Sequence, residues 1–254
     1  MRSLVAWSLL LGLVCTAGAA DLPDAETILD RAIEATGGKA AHEKIHNRVS
    51  KGKMSMPAMG IEAQMTTYAA EPNKLFAEFE SPALGSLLSG SMNDVHWEVT
   101  AMTGPRIKSG EEAAASRREA DFDAALHWRE YFETVETVGI DTVATMPCYK
   151  VHLVSKEGPE ETRYYDIEEY LLRKSEMTLV TEMGSIPIES YFTDYRTVDG
   201  IKMPFQSRQV IMGAQEMLFT TESVEHNVEI ADETFAYPPD IEALLEKEGA
   251  DGDE

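Results

Sequence analysis

The chain has 254 residues, 43% of them hydrophobic, with 45 acidic against 22 basic side chains and a formal charge of −23. That length builds one large domain or two small ones. So acidic a surface repels nucleic acid and anionic lipid headgroups, and it favours a soluble monomer.

Residues 1–20 read as a cleaved secretory signal. Arg2 gives a positive start, residues 4–14 an apolar run too short to span a bilayer, and Ala17-Gly18-Ala19 or Gly18-Ala19-Ala20 a small-residue cleavage site. The mature chain then starts at Ala20 or Asp21. A lipoprotein signal acylated at Cys15 is the weaker alternative, because bulky Val14 precedes it. Losing Arg2 with the leader takes the formal charge from −23 to −24. Of the two cysteines only Cys148 then remains, so no internal disulfide can form, and a lone thiol in an oxidising compartment is best buried.

Asp24 caps a predicted helix over residues 25–36, with Gly37-Gly38 as its stop and Ile28, Leu29, Ala32 and Ile33 on one face. A shorter helix over 39–45 carries His42-Glu43-Lys44-Ile45-His46. In a metalloprotease H-E-x-x-H binds zinc through two histidines and activates water through the glutamate. Here the helix is short, strand signals begin at Val49, and no third ligand follows, so a surface histidine pair fits the context better.

Strands are predicted over 49–59, 60–70 and 74–80, and Val95, Trp97 and Val99 alternate in a fourth. Gly104-Pro105 interrupts the series. Ser109-x-x-Glu112 has the form of a capping box opening an Ala-rich helix over 110–128, whose face of Ala114, Arg118, Phe122, Ala125 and Leu126 is thin. Such a helix fits either an opening or a covered sheet edge. Strands resume from Thr134. The clearest signal is Asp199-Gly200 between aromatic and β-branched flanks, which reads as a hairpin turn over 189–213. A final ordered piece is expected over 230–237, a short helix over 240–248, and a frayed acidic end.

About ten strands in hairpin order, with helices before them and inserted once, describe a curved antiparallel sheet whose concave face needs cover. The pattern resembles the LolA/LolB-like periplasmic lipid and lipoprotein carriers. The resemblance spans roughly residues 25–238 and rests on the helix ending at Gly37-Gly38, the 149–153 strand, Tyr164-Tyr165-Asp166 before Leu171-Leu172, and above all the D-Y-x-x-x-x-G-x-x-x-P run from Asp194 to Pro204. It implies an α+β, mostly antiparallel fold: an unclosed half-barrel covered by the N-terminal and inserted helices. It also implies an arginine inside the barrel that holds the lid closed; Lys51, Lys53 and Lys74 lie on early strands, but none matches a motif that would inherit the role.

The expected organisation is a single domain over 21–239 with an acidic tail at 240–254. The expected function is carriage of a lipid acyl chain or lipoprotein in the periplasm, with envelope donor and acceptor proteins as possible partners and neither catalysis, cofactor nor metal. The expected cavity lining is Met54, Met56, Ile61, Met65, Leu75, Phe79, Trp97, Phe122 and Leu126, with flexible methionines adapting to varied acyl shapes. The rows Ile61/Ala63/Met65, Leu75/Ala77/Phe79 and Val95/Trp97/Val99 are all expected to face inward. The alternative is a zinc-dependent hydrolase built on His42, Glu43 and His46. A β domain with a filled core and no ligand is the third reading.

Overall fold

The computed structural model describes residues 22–181 and 184–251, so the expected leader and Cys15 lie outside the described residues. Helix α1 (Ala25–Ala35) starts where the Asp24 carboxylate accepts the Thr27 N–H at 2.8 Å, and its Ile28 and Leu29 are buried. It ends at Gly37 and Gly38, both at positive φ, where the Lys202 N–H donates to the Thr36 carbonyl at 2.9 Å. A Cβ on Gly37 would collide with the Gly200 carbonyl oxygen, so the helix end docks directly on the Asp199-Gly200 turn. A four-residue helix, α2 (Lys39–His42), leads into the sheet.

Among the described residues the sheet has thirteen strands, all pairing antiparallel, and does not close. Its first half is β1 (Asn47–Met56), β2 (Ile61–Ala70), β3 (Lys74–Ser81), β4 (Gly85–Met92), β5 (Val95–Thr100) and β6 (Gly104–Ile107). Helices α3 (Gly110–Ala120) and α4 (Trp128–Tyr131) follow. The second half is β7 (Phe132–Val143), β8 (Met146–Ser155), β9 (Glu161–Asp166), β10 (Leu172–Thr181), β11 (Gly184–Val198), β12 (Ile201–Ile211) and β13 (Gln215–His226). The halves join where β1 pairs with β13, which leaves β6 and β7 as the two edges. The hairpin read from Asp199-Gly200 is β11–β12.

Register assigns the faces. Val151 lies opposite Arg163, and the same row runs through Ser175, Ser190, Gln209 and Met217. On β1 this face carries Arg48, Ser50, Gly52 and Met54, with Met54 between Phe219 and Ala63. It is the face that receives α1, because Ile28 and Leu29 share a core with Val151, Leu153, Tyr165, Trp128 and Phe132. The rows Ile61/Ala63/Met65 and Leu75/Ala77/Phe79 lie on it, with Met65 opposite Phe79.

The third row does not. Trp97 lies opposite Gly90, and Gly90 opposite Phe76, on the convex face, while His96 and Glu98 point inward. The convex face is covered here too. A 3₁₀ turn at Asp232–Phe235 lies against β3 and β4, and α5 (Pro239–Asp251) lies against β6, with Ile241 fully buried. Trp97 is 1% exposed, its indole lies flat against Gly90, and its ring centroid is 6.2 Å from that of Phe76. An apolar alternation marks a buried face, and in β5 the buried face is the outer one. Trp97→Ala therefore removes a structural anchor, and urea unfolding should show a loss of about 3–5 kcal/mol. A near-neutral change would contradict this placement.

Candidate functional site

The chain crosses from one sheet edge to the other between β6 and β7, and α3 makes most of the crossing. It is tied down at both ends. At the first, Arg106 on β6 bonds Glu98 at 2.8 Å and pairs with Glu112, while the Lys108 ammonium donates to Ser116 at 3.1 Å. At the second, Arg118 pairs with Glu161 on β9, and Arg163 holds the other oxygen of the same carboxylate at 2.7 Å. Both guanidiniums also lie over the Phe132 ring, at 5.1 and 5.2 Å. The side chains of Arg118 and Glu161 are 11% and 8% exposed.

The inserted helix is shorter than its expected span of 110–128. It stops at Ala120 because Asp121 turns extended, and its carboxylate accepts from the Asp123 N–H at 3.0 Å and the Tyr131 hydroxyl at 2.6 Å. His127 Nδ1 lies 2.9 Å from the same group, which holds the imidazole above its usual pKa. These bonds fold residues 121–127 back toward α1.

Beneath α1, against β9–β12 and the start of β1, lies a cavity of about 290 Å³. Leu29, Ile33, Trp128, Leu172, Phe192 and Ile201 give it apolar walls. Its basic side chains are His42, Arg48, Arg163 and Lys202, and among the described residues no aspartate or glutamate lines it. A larger recess of about 760 Å³ lies by Gly158-Pro159, but Glu160, Glu161, Glu176 and Glu189 line it. That lining suits solvent and not an acyl chain.

None of the nine residues expected to line the cavity does so. Met54, Met56 and Ile61 form a buried cluster with Ala63, against which Phe79, Met217 and Phe219 pack, and Met65 lies beside it on the same face. Met54 is six residues along β1 from Arg48, so this cluster sits ~20 Å away along the strand. Leu75 and Phe122 are at the Arg48 end: Leu75 faces Ala69, the partner of Arg48, and the Phe122 ring lies 5.7 Å from the guanidinium. Leu126 opens instead on a polar recess with Asp30, Glu34 and Lys39, and Trp97 is on the convex face.

Arg48 escaped the sequence reading because a search for apolar alternation discards a cation. The usable signal was parity: Arg48 shares its side of β1 with Met54 and Met56. Lys51 and Lys53 have the opposite parity, and Lys53 is paired at the surface with Glu222 at 2.6 Å.

The two histidines of the H-E-x-x-H run are held apart by different partners. His42 Nε2 is 3.2 Å from the Thr36 hydroxyl, while His46 Nδ1 is 2.9 Å from Glu71. Glu43 pairs with Lys39 at 3.6 Å. Among the described residues no group of three His, Cys, Asp or Glu side chains could hold a metal. Cys148 is fully buried with Val143 and Tyr164, and burial pushes its thiol above the usual pKa.

The sequence matches no family model and no curated protein. Solved structures do share the fold. A DUF1329 family protein from Desulfovibrio piger superposes at TM-score 0.58 with 14% identity, over 84% of this chain and 97% of its own. A LolA superfamily protein from Nitrosomonas europaea gives 0.56 and 11%, over 85% and 99%. A domain assigned to an outer membrane lipoprotein-sorting protein of Vibrio parahaemolyticus gives 0.53 and 12%, over 83% and 97%. The architecture is thus the LolA-like unclosed half-barrel.

Two expectations follow. Glu161→Ala strands two guanidiniums and should cost about 3–5 kcal/mol in urea unfolding, whereas Arg118→Ala leaves Glu161 held by Arg163 and should cost less; the reverse order would contradict the shared-carboxylate geometry. Burial, with a smaller push from Arg48, holds His42 below its ordinary value of 6.5. As pH falls through that value the unfolded chain takes up the proton first, so the contribution of His42 is intact above it and lost below. Between about pH 7.5 and about 5.5, stability should fall more steeply in wild type than in His42→Gln. Parallel slopes would contradict the burial.

Proposed function

We propose that the exported chain is a periplasmic carrier that shields the acyl chain of a lipid or lipoprotein. The observation that carries this reading is the apolar cavity between α1 and the concave sheet face. A half-barrel that its own strands do not close must cover that face with helices or with a ligand. Here α1 covers part of it and leaves a space walled by leucine, isoleucine and aromatic side chains. No helix among the described residues is long and apolar enough to cross a membrane. The neighbours in fold include a protein of the LolA superfamily and a domain assigned to lipoprotein sorting, which agrees with a carrier and not a catalyst. Met54, Met65 and Phe79 continue the apolar surface along β1–β3 on the same face. The bonds of His42 and His46 to separate partners give the hydrolase alternative no geometric support.

Native mass spectrometry of the protein recovered from the periplasm should find a co-purified amphiphile. Ala32 lines the cavity from α1, and Ala32→Trp fills the space without altering charge. That variant should fold and take up at most about a tenth of the wild-type lipid, a loss of ~1.4 kcal/mol. Unchanged uptake, or a wild type that neither co-purifies with nor takes up any amphiphile, would overturn the reading.

A further inference from the structure

The cavity and the rest of the molecule have opposite charge. Acidic side chains outnumber basic ones 45 to 22, yet among the described residues the lining holds two arginines, a lysine and a histidine and no carboxylate. Two of these cations are ion-paired within the chain: Arg163 with Glu161 at 2.7 Å and Lys202 with Glu169 at 3.3 Å. Arg48 is not. Among the described residues its side chain has no ion pair and no hydrogen bond, and the Phe122 ring, 5.7 Å from the guanidinium, is the one favourable charge contact it makes. The groups that sense it most are His42 and His226, whose protonation it opposes. The Arg48 side chain is half-buried and a guanidinium keeps its charge at any physiological pH, so the cavity presents an unpaired cation to whatever enters it.

We propose that the cavity takes an anionic single-chain amphiphile, with its carboxylate or phosphate head on the Arg48 guanidinium and its chain among Leu29, Ile33 and Phe192. The inference rests on the carrier reading and narrows its ligand. A planar guanidinium offers two parallel N–H donors to such a head, a strong charge-assisted contact. At about 290 Å³ the space is at the small end of ligand sites, which run from ~300 Å³ upward, so it fits one acyl chain and not the several of a lipoprotein anchor. The acidic exterior repels anionic membrane surfaces, while the cavity selects a single anionic molecule. The two fields act in different places.

The test is displacement of an uncharged reporter, N-phenyl-1-naphthylamine, by laurate, dodecyl phosphate, dodecanol and inorganic phosphate. Laurate and dodecyl phosphate should compete at concentrations at least about tenfold below dodecanol. Arg48→Met should abolish that gap while moving dodecanol by no more than about twofold, and Arg48→Lys should retain part of it. The ligand-free Arg48→Met protein should also melt above wild type, because it loses a cation with no counterion. Equal competition by laurate and dodecanol in wild type would overturn the headgroup assignment and leave the carrier reading standing. Failure of every chain-bearing competitor would instead defeat the carrier reading. Inorganic phosphate matching dodecyl phosphate would reduce the site to a free-anion site, and a lower melting point for Arg48→Met would make Arg48 structural; either result overturns the proposal.

Discussion

The structure depends on the two edges of the sheet never meeting. In a closed barrel β6 and β7 would pair; here the chain between them is a helix, and ion pairs fix that helix at both ends. The inner of these, Arg118–Glu161–Arg163, is largely buried, so its geometry must be kept or two charges are left without compensation. With α3 held across the gap, the concave face cannot collapse on itself. It has to be covered by elements outside the sheet, and α1 is the main one.

That constraint divides the concave face into unlike regions. At the Met54 and Ile61 end the strands pack their own side chains into a cluster. At the β4–β6 end the face is polar: Ser91, His96, Glu98 and Arg106 point toward α3, with His96 Nδ1 at 2.8 Å from the Ser91 hydroxyl. Between α1 and β9–β12 apolar walls surround open volume, and there the chain places an arginine without a carboxylate. Arg48 is poorly explained as a stabilising group, since a half-buried cation without a partner is partly desolvated without compensation. It is better explained by what it would meet in the bound state, an instance of stability given up at a functional position.

Much of the fold was legible in local chemistry. Asp24 before Glu26 and Gly37-Gly38 after the apolar stripe bound α1 as their capping chemistry requires, and Asp199-Gly200 marked the β11–β12 turn. Strict alternation in β2 and β3 gave the correct inward rows, because only one face of those strands is richly apolar. The same rule failed for β5, where the C-terminal turn and α5 bury the convex face, and where residue 97 packs is a long-range fact. The end of α3 was misplaced because the Asp121 carboxylate competes with the helix for donors, through a tyrosine ten residues on. The site itself was least legible. Its walls come from α1, α4 and β9–β12, which no single periodic stretch reveals, and its charged residue was set aside for being charged.

The space under α1 is the ligand compartment we propose. Photo-crosslinking with a diazirine-bearing fatty acid, read by peptide mass spectrometry, tests it without disturbing the chain. Adducts are expected on α1 and on the inner side chains of β10–β12, around Ile33, Leu172 and Phe192. Adducts concentrated on the convex face beneath α5, or in the glutamate-lined recess by Gly158-Pro159, would contradict it.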